Sequence, residues 1–142
     1  ERERLALITA GDGGAELAHG LRWKLLEGLG VGAPVWDVLG FAHGPFQRFV
    51  REPLTLVALD VRGGLFAPLF ARLGRLLDPA LHRLVVLTPR ALDGLAGFLE
   101  HDALFDGVVL RALAHAPRDL RDWPGKGLDG PLYDLGCDAE GG

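Results

Sequence analysis

The segment LALITAGDGGAELAHGLRWKLLEGL, residues 5–29, decides the fold. It opens with a short apolar run, Leu5 to Thr9, of the kind that forms a buried strand. A glycine-rich turn follows at 11–14, and leucines then recur every four residues from Leu17 to Leu29, which predicts a helix over about 15–28. A strand, a tight turn and an amphipathic helix in this order predict the first unit of a parallel α/β sheet.

The same alternation of strands and helices continues along the chain. Residues 105–114 are compatible with either a strand or the start of a helix, and the periodicity leaves both open. Beyond Pro117 the composition turns to Pro, Gly and Asp, which predicts an irregular tail. We therefore expect a doubly wound, flavodoxin-like α/β domain over 1–116, with a mainly parallel sheet of four or five strands, and a tail over 117–142. The other predicted strands are 34–39, 54–59 and 84–87, and the other predicted helices are 45–51, 65–77 and 91–100.

The composition excludes several classes of protein. The 142 residues are 49% hydrophobic and 24% charged, which is typical of one globular domain. A net charge of -4 without any block of Lys or Arg gives no sign of a nucleic-acid partner. The apolar runs are too short to span a membrane, and no apolar leader opens the chain, so a cytoplasmic location is expected. The lone Cys137 rules out an internal disulfide and a cysteine-rich metal site, and no metal is expected.

Several residue types are missing from the chain. There is no Met, Asn or Ser, and Arg outnumbers Lys 13 to 2. The missing serine excludes a Ser–His–Asp hydrolase within this chain. The bias is that of a heat-adapted organism, although a GC-rich genome would produce the same bias. Without an initiator Met, the chain is expected to be a fragment or a processed piece.

The first predicted helix has a polar side opposite its leucines. His19, Trp23 and Glu27 recur every four residues and therefore lie on one side of the helix. Glu27 falls near the C-terminal end, where the helix dipole disfavours a carboxylate. It is either a solvated surface residue or a group kept for its chemistry.

A series of short motifs appears in order along residues 5–59. They are AGDGG at 10–14, AELA at 15–18, KLLE at 24–27, APVWD at 33–37 and FAHGP at 41–45. In this order and spacing the chain resembles the SIS (sugar isomerase) family. The likeness is greatest to the isomerase half of glucosamine-6-phosphate synthases and to bifunctional phosphoglucose/phosphomannose isomerases. From Leu65 onward the resemblance is to the fold alone.

The resemblance implies a phosphosugar isomerase of SIS fold, with this chain as one half of a two-SIS protein. Glu27 would be the base that moves a proton between C1 and C2 of the open-chain sugar through an enediol. His43 would help to open the sugar ring. The family also implies a homodimer with the site at its interface, a sugar phosphate as ligand and no cofactor.

The chain departs from the family pattern at three places. Gly40 stands where the synthases have a Glu three residues before the histidine, which points away from aminosugars. Asp122-Trp123-Pro124, followed by Lys126, partly matches a C-terminal loop with a functional lysine, so Lys126 is a third candidate catalytic residue. The Ser/Thr-rich phosphate loop of the first SIS half has no counterpart here, and a partner half would supply it.

Other residues are candidates for binding the substrate. The turn Gly11-Asp12-Gly13 could hold an anion through backbone N–H groups, because it leads from a strand into a helix. A dinucleotide turn is the alternative, but Glu16 occupies the third glycine position of that motif. Asp60 follows the predicted strand 54–59, at the end of the strand where α/β sheets place their ligands.

Three further histidines are His82, His101 and His115. They show no metal-ligand spacing, and His101 is expected to be solvated.

A function from another class stays open beside the isomerase: a non-catalytic module that binds a sugar phosphate and regulates a partner.

Overall fold

The computed structural model describes residues 4–11, 13–90, 94–123, 125–128 and 130. Four strands form one parallel sheet in the order β2-β1-β3-β4. This order confirms the predicted doubly wound α/β fold. The strands are β1 (Arg4–Thr9), β2 (Val35–Asp37), β3 (Leu54–Leu59) and β4 (His82–Leu87), and the helices are α1 (Gly14–Leu29), α2 (Val38–His43), α3 (Pro45–Phe49), α4 (Ala67–Leu76) and α5 (Gly94–His115).

Both faces of the central strands are covered by helices. Successive side chains of a strand point to opposite faces, so Leu7 and Ile8 enter different cores. Ile8 packs with residues of α2, α3 and α4, including Phe41 and Phe70. Leu7 packs with the leucine stripe of α1 and with Phe105 of α5. This double burial explains why β1 reads as a continuous apolar run rather than as an alternating one.

The second strand is shorter than its predicted range of 34–39. Asp37 ends it, because Oδ1 of Asp37 accepts hydrogen bonds from the backbone N–H groups of Leu39 at 2.8 Å and Gly40 at 3.3 Å. This arrangement caps the N-terminus of α2, which therefore starts at Val38. The cap outweighs the strand preference of the apolar residues that follow.

Residues 105–114, which the pattern left open, are helical. They belong to α5, a single helix of 22 residues that also includes most of the predicted helix 91–100. Its buried residues Gly97, His101 and Phe105 are four positions apart and so form one stripe against the rest of the domain. Packing against α1 thus overrides the strand preference of Val108 and Val109.

Charged and small residues hold α1 against α5. The Nζ of Lys24 lies 2.8 Å from a carboxylate oxygen of Asp102 and 2.6 Å from one of Asp106. Burial acts to lower the pKa of Lys24, but the hydrogen bonds and charges of the two aspartates outweigh it and hold that pKa above its ordinary value. A Cβ on Gly28 would lie 2.6 Å from Cγ1 of Val109, so a glycine is needed where the two helices cross.

A buried histidine anchors the start of β4. The Nδ1 of His82 accepts a hydrogen bond from the backbone N–H of Asp78 at 3.0 Å. Its Nε2 lies 3.0 Å from the carbonyl oxygen of Phe49 and donates to it. The two contacts fix the neutral tautomer with the proton on Nε2 and connect α3 to the edge of the sheet. None of the helices in the described part of the chain has both the length and the apolar character needed to cross a membrane.

Candidate functional site

The carboxyl ends of β1 and β3 meet where the strand order reverses. The chain leaves β1 toward β2 on one side, and it returns past β1 to form β3 on the other. Thr9 pairs with Leu59, so Gly11 and Asp60 follow neighbouring strand ends. Open α/β sheets usually bind ligands in the crevice at such a switch point. The structure therefore brings together two of the predicted substrate-binding positions, Gly11 and Asp60.

Two aromatic rings cover the glycine turn after β1. Gly11 has a φ of +70°, and a Cβ at this position would overlap the ring of Phe66 from the loop after β3. Gly13 has a φ of +83° and precedes the first turn of α1, where a Cβ would lie 3.4 Å from the ring of Phe98 in α5. Gly11 is therefore required both by its positive φ and by the packing of Phe66, whereas Gly13 is favoured by its positive φ alone. Asp12, the middle residue of the predicted anion turn, lies outside the described residues.

Asp60 is a fully buried carboxylate at this switch point. Its Oδ1 accepts a hydrogen bond from the backbone N–H of Arg62 at 3.2 Å, in the loop-capping role common for aspartate. Its Oδ2 is also buried, and it has no hydrogen-bond partner among the residues that the structure describes. An acceptor left unpaired in the interior costs free energy.

We expect Asp60→Asn to lower the free energy of unfolding by about 1–3 kcal/mol, measured by urea titration. The amide keeps an oxygen that accepts from Arg62, but its N–H donors take the place of Oδ2, an atom that has no hydrogen-bond partner among the described residues. Asp122→Asn is the matched control, because Asp122 is exposed and its substitution should change stability by less than about 0.5 kcal/mol. Unchanged stability in Asp60→Asn would contradict this prediction and would show that the amide finds an acceptor at this position.

Glu27 lies in the last turn of α1, and its side chain is exposed. It makes no hydrogen bond or ion pair with any described residue, and no basic residue accompanies it in that turn. Thirteen residues of helix separate it from Gly14, which corresponds to about 20 Å. Since α1 runs from the carboxyl edge of the sheet back to the amino edge, Glu27 and Asp60 lie at opposite ends of the domain.

His43 is the last residue of α2 and is also exposed. Pro45 then begins α3, as expected from its preference for a first helical turn. Helix α2 packs on the sheet face that carries α4, whereas α1 packs on the other face. Both α1 and α2 contact β2, which is an edge strand. Glu27 and His43 therefore belong to the two helices that flank the same edge of the sheet.

Lys126 lies in a turn near the end of the described residues, and it is exposed. Its Nζ is 5.9 Å from the centre of the Trp123 ring, a distance typical of a cation–π contact. The structure shows no contact between Lys126 and either Glu27 or His43.

The structure also shows a feature that the sequence did not predict, at the end of β4. A depression of about 160 Å³ lies there, and the buried His101 forms part of its wall. Nδ1 of His101 lies 2.8 Å from the carbonyl oxygen of Gly97, and Nε2 lies 3.1 Å from that of Leu87. The expectation of a solvated His101 is therefore wrong. The sequence did hold one signal of its burial, because His101 is four residues from both Gly97 and Phe105 and so lies on the same side of the helix. The residues lining the depression are Val86, Leu87, Thr88, Pro89, Glu100, His101 and Leu104.

No group of three or more His, Cys, Asp or Glu side chains that could hold a metal ion occurs within the described ranges.

Comparison with known proteins gives matches among solved structures. No protein-family model matches the chain, and no curated protein matches it. A protein assigned as a phosphosugar isomerase from Salmonella typhimurium superposes with a TM-score of 0.62 at 20% identity, over 86% of this chain and 39% of the other. The tagatose-6-phosphate ketose/aldose isomerase of Escherichia coli superposes with a TM-score of 0.53 at 17% identity, over 87% of this chain and 39% of the other. The chain thus spans about two fifths of the length of each protein, and at these identities the likeness establishes a shared fold.

Proposed function

We propose that this chain supplies the acid–base groups of a phosphosugar isomerase, with Glu27 as the base and His43 as the group that opens the sugar ring. The observation that carries the proposal is the availability of Glu27. It is an exposed carboxylate without a partner among the described residues, at a helix end that disfavours negative charge. The two similar structures, described as isomerases of sugar phosphates, support the same substrate class.

The chemistry needs one carboxylate and one imidazole. His43 passes a proton between the ring oxygen and the anomeric hydroxyl, which breaks the C–O bond of the ring and leaves the open-chain ketose. Glu27 then takes a proton from C1 and returns a proton to C2, while a proton passes from the C1 hydroxyl group to the C2 carbonyl oxygen. The ketose thus becomes an aldose through the enediol, with no net change in oxidation state. No cofactor is consumed in this scheme.

Lys126 is proposed as an additional cationic group near the sugar. It lies in the described part of the C-terminal tail, where its side chain is exposed and rests on Trp123. A lysine here would attract the phosphate or the developing negative charge of the enediol.

The carboxyl edge of the sheet is proposed to contribute to substrate binding from a different copy or a partner half. Gly11, Gly13 and Asp60 lie about 20 Å along α1 from Glu27. A single sugar phosphate is shorter than this distance and cannot reach both edges of one chain. The site as proposed is therefore shared between this chain and a second copy or a partner half. This agrees with the match to the structural neighbours, which covers only 39% of the length of each.

Isotope exchange tests the proposal. The complete protein is incubated in D₂O with fructose 6-phosphate and, separately, with tagatose 6-phosphate, and the products are followed by NMR. We expect one of the two to give an aldose that carries deuterium at C2, because the base exchanges its proton with solvent before returning it. Absence of exchange with both sugars, despite a folded protein, would contradict the isomerase assignment for these substrates.

The same samples distinguish the enzyme from a sensor. Binding of either sugar phosphate, detected by calorimetry, without any deuterium incorporation would favour the non-catalytic regulatory module. Such a result would also leave the exposed carboxylate of Glu27 without a chemical role.

A further inference from the structure

The exposed side of α1 carries an indole ring one helical turn before Glu27. Trp23 is 51% exposed, although tryptophan is highly buried on average. It belongs to neither of the two cores, so the packing of the described residues gives no reason for an indole at this position. Residues four apart are neighbours on a helix surface, and Trp23 therefore lies about 6 Å from Glu27 along the helix axis.

Open space lies beside the Trp23 ring. A long side chain of a helix leans over the turn that precedes its own Cα, which for Trp23 is the turn that contains Gly20. Gly20 is exposed, and a Cβ built at this position would meet no atom within 4 Å. Packing therefore does not require this glycine, and glycine weakens a helix interior relative to alanine. Its missing side chain leaves that side of the indole ring uncovered.

The other side of the ring carries a positive charge. The guanidinium carbon of Arg22 lies 5.2 Å from the centre of the Trp23 ring, within the range of a cation–π contact. Viewed along the helix, Arg22 is about 100° from Trp23 on one side, and Gly20 is about 60° from it on the other. Arg22 makes no ion pair with a carboxylate of any described residue. Its planar set of N–H donors is therefore available to an anion such as a phosphate group.

We propose, on the basis of the function proposed above, that Trp23, Arg22 and Gly20 form the sugar-binding surface of the site at Glu27, and that its ligand is a hexose 6-phosphate. The indole ring packs against the apolar C–H groups of the sugar on the side that Gly20 leaves open. Arg22 contacts the 6-phosphate.

The length of the ligand agrees with this arrangement. Arg22 and Glu27 are five residues apart, which corresponds to about 7.5 Å along the helix axis. A hexose 6-phosphate carries its reacting carbons, C1 and C2, and its phosphate at opposite ends of its chain. The reacting carbons can thus lie at Glu27 while the phosphate lies at Arg22. The opposite wall of the site comes from the second copy or the partner half that shares it.

Calorimetry with fructose 6-phosphate on the complete protein tests this surface. Trp23→Ala and Gly20→Leu should each weaken binding by about 10-fold or more, because the first removes the ring and the second fills the space beside it. Trp23→Phe should retain most of the affinity, since a smaller aromatic ring still packs on the sugar. Arg22→Gln should also weaken binding by about 10-fold, and its affinity should depend less on salt because the phosphate loses a charged partner.

Gly107→Leu is the matched control for Gly20→Leu. Gly107 is also an exposed glycine within a helix, α5, and no atom lies within 4 Å of a Cβ built there. Both leucine variants should raise the urea midpoint of unfolding, because leucine favours a helix more than glycine does. Only Gly20→Leu should weaken binding. A Gly20→Leu protein that is folded and binds fructose 6-phosphate as tightly as the wild type would overturn the proposal.

The fate of this surface is separable from that of the isomerase. Weakened binding in Trp23→Ala, in a protein whose wild type incorporates no deuterium, would uphold the surface and contradict the isomerase. Normal binding in Trp23→Ala, with turnover lost in Glu27→Gln, would overturn the surface and leave the isomerase intact. A changed mass of the assembly in Trp23→Ala by light scattering, with unchanged affinity, would also overturn the surface, because it would assign the ring to a protein contact.

Discussion

Glu27→Gln is expected to lower the turnover of the sugar phosphate by about 100-fold or more, in line with the usual contribution of a positioned acid–base group. The amide has nearly the shape of the carboxylate, but it cannot take a proton from C1. Because Glu27 is exposed and makes no hydrogen bond or ion pair with described residues, the substitution should leave the fold unchanged. The affinity for the sugar phosphate should change only a few-fold, so the loss appears in kcat rather than in KM.

Glu16→Gln provides the control for this variant. Glu16 is an exposed glutamate of the same helix, located in its first turn, and its replacement should leave turnover unchanged. Unchanged turnover in Glu27→Gln would eliminate this residue as the base. Equal losses in both variants would indicate an effect on α1 rather than on the chemistry.

Phe70→Ala is expected to reduce the free energy of unfolding by about 3–5 kcal/mol. Phe70 is fully buried in α4 and belongs to the core between that helix and the sheet. Removing the ring deletes apolar contacts and leaves a cavity that surrounding strands cannot fill. A loss of this size is a large part of the total stability of a typical domain, so the variant should unfold at much lower urea concentration.

Leu76→Ala in the same helix is the control for the core substitution. Leu76 is 67% exposed, and its truncation should change stability by no more than about 0.5 kcal/mol. A small effect of Phe70→Ala would mean that α4 is not packed on the sheet as described.

The architecture was predictable where burial dominates the sequence pattern. The apolar runs that became β1 and β3 are covered on both faces. Such runs can be recognised in the sequence without knowing which helices or strands pack against them. Local chemistry was decisive elsewhere. Asp37 ended β2 early by capping α2, and packing on α1 made residues 105–114 helical although their composition also suits a strand.

The site was less predictable because it depends on relations between distant residues. Asp60 could be placed at a strand end from the sequence, but the missing partner of its Oδ2 follows only from the packed structure. The burial of His101 likewise results from the way α5 crosses the end of β4. Glu27 and His43 were found through a family resemblance, and the structure adds that their helices flank one edge strand.

The most direct measurement is a crystal structure of the complete protein with fructose 6-phosphate. We expect C1 and C2 of the open-chain sugar to lie about 3–3.5 Å from the Glu27 carboxylate, with the imidazole of His43 beside the C5 hydroxyl group, whose oxygen closes the ring in the cyclic form. The two side chains belong to one subunit or to neighbouring ones. A sugar phosphate bound elsewhere, with both Glu27 and His43 in bulk solvent in every subunit, would contradict the proposed roles of both residues.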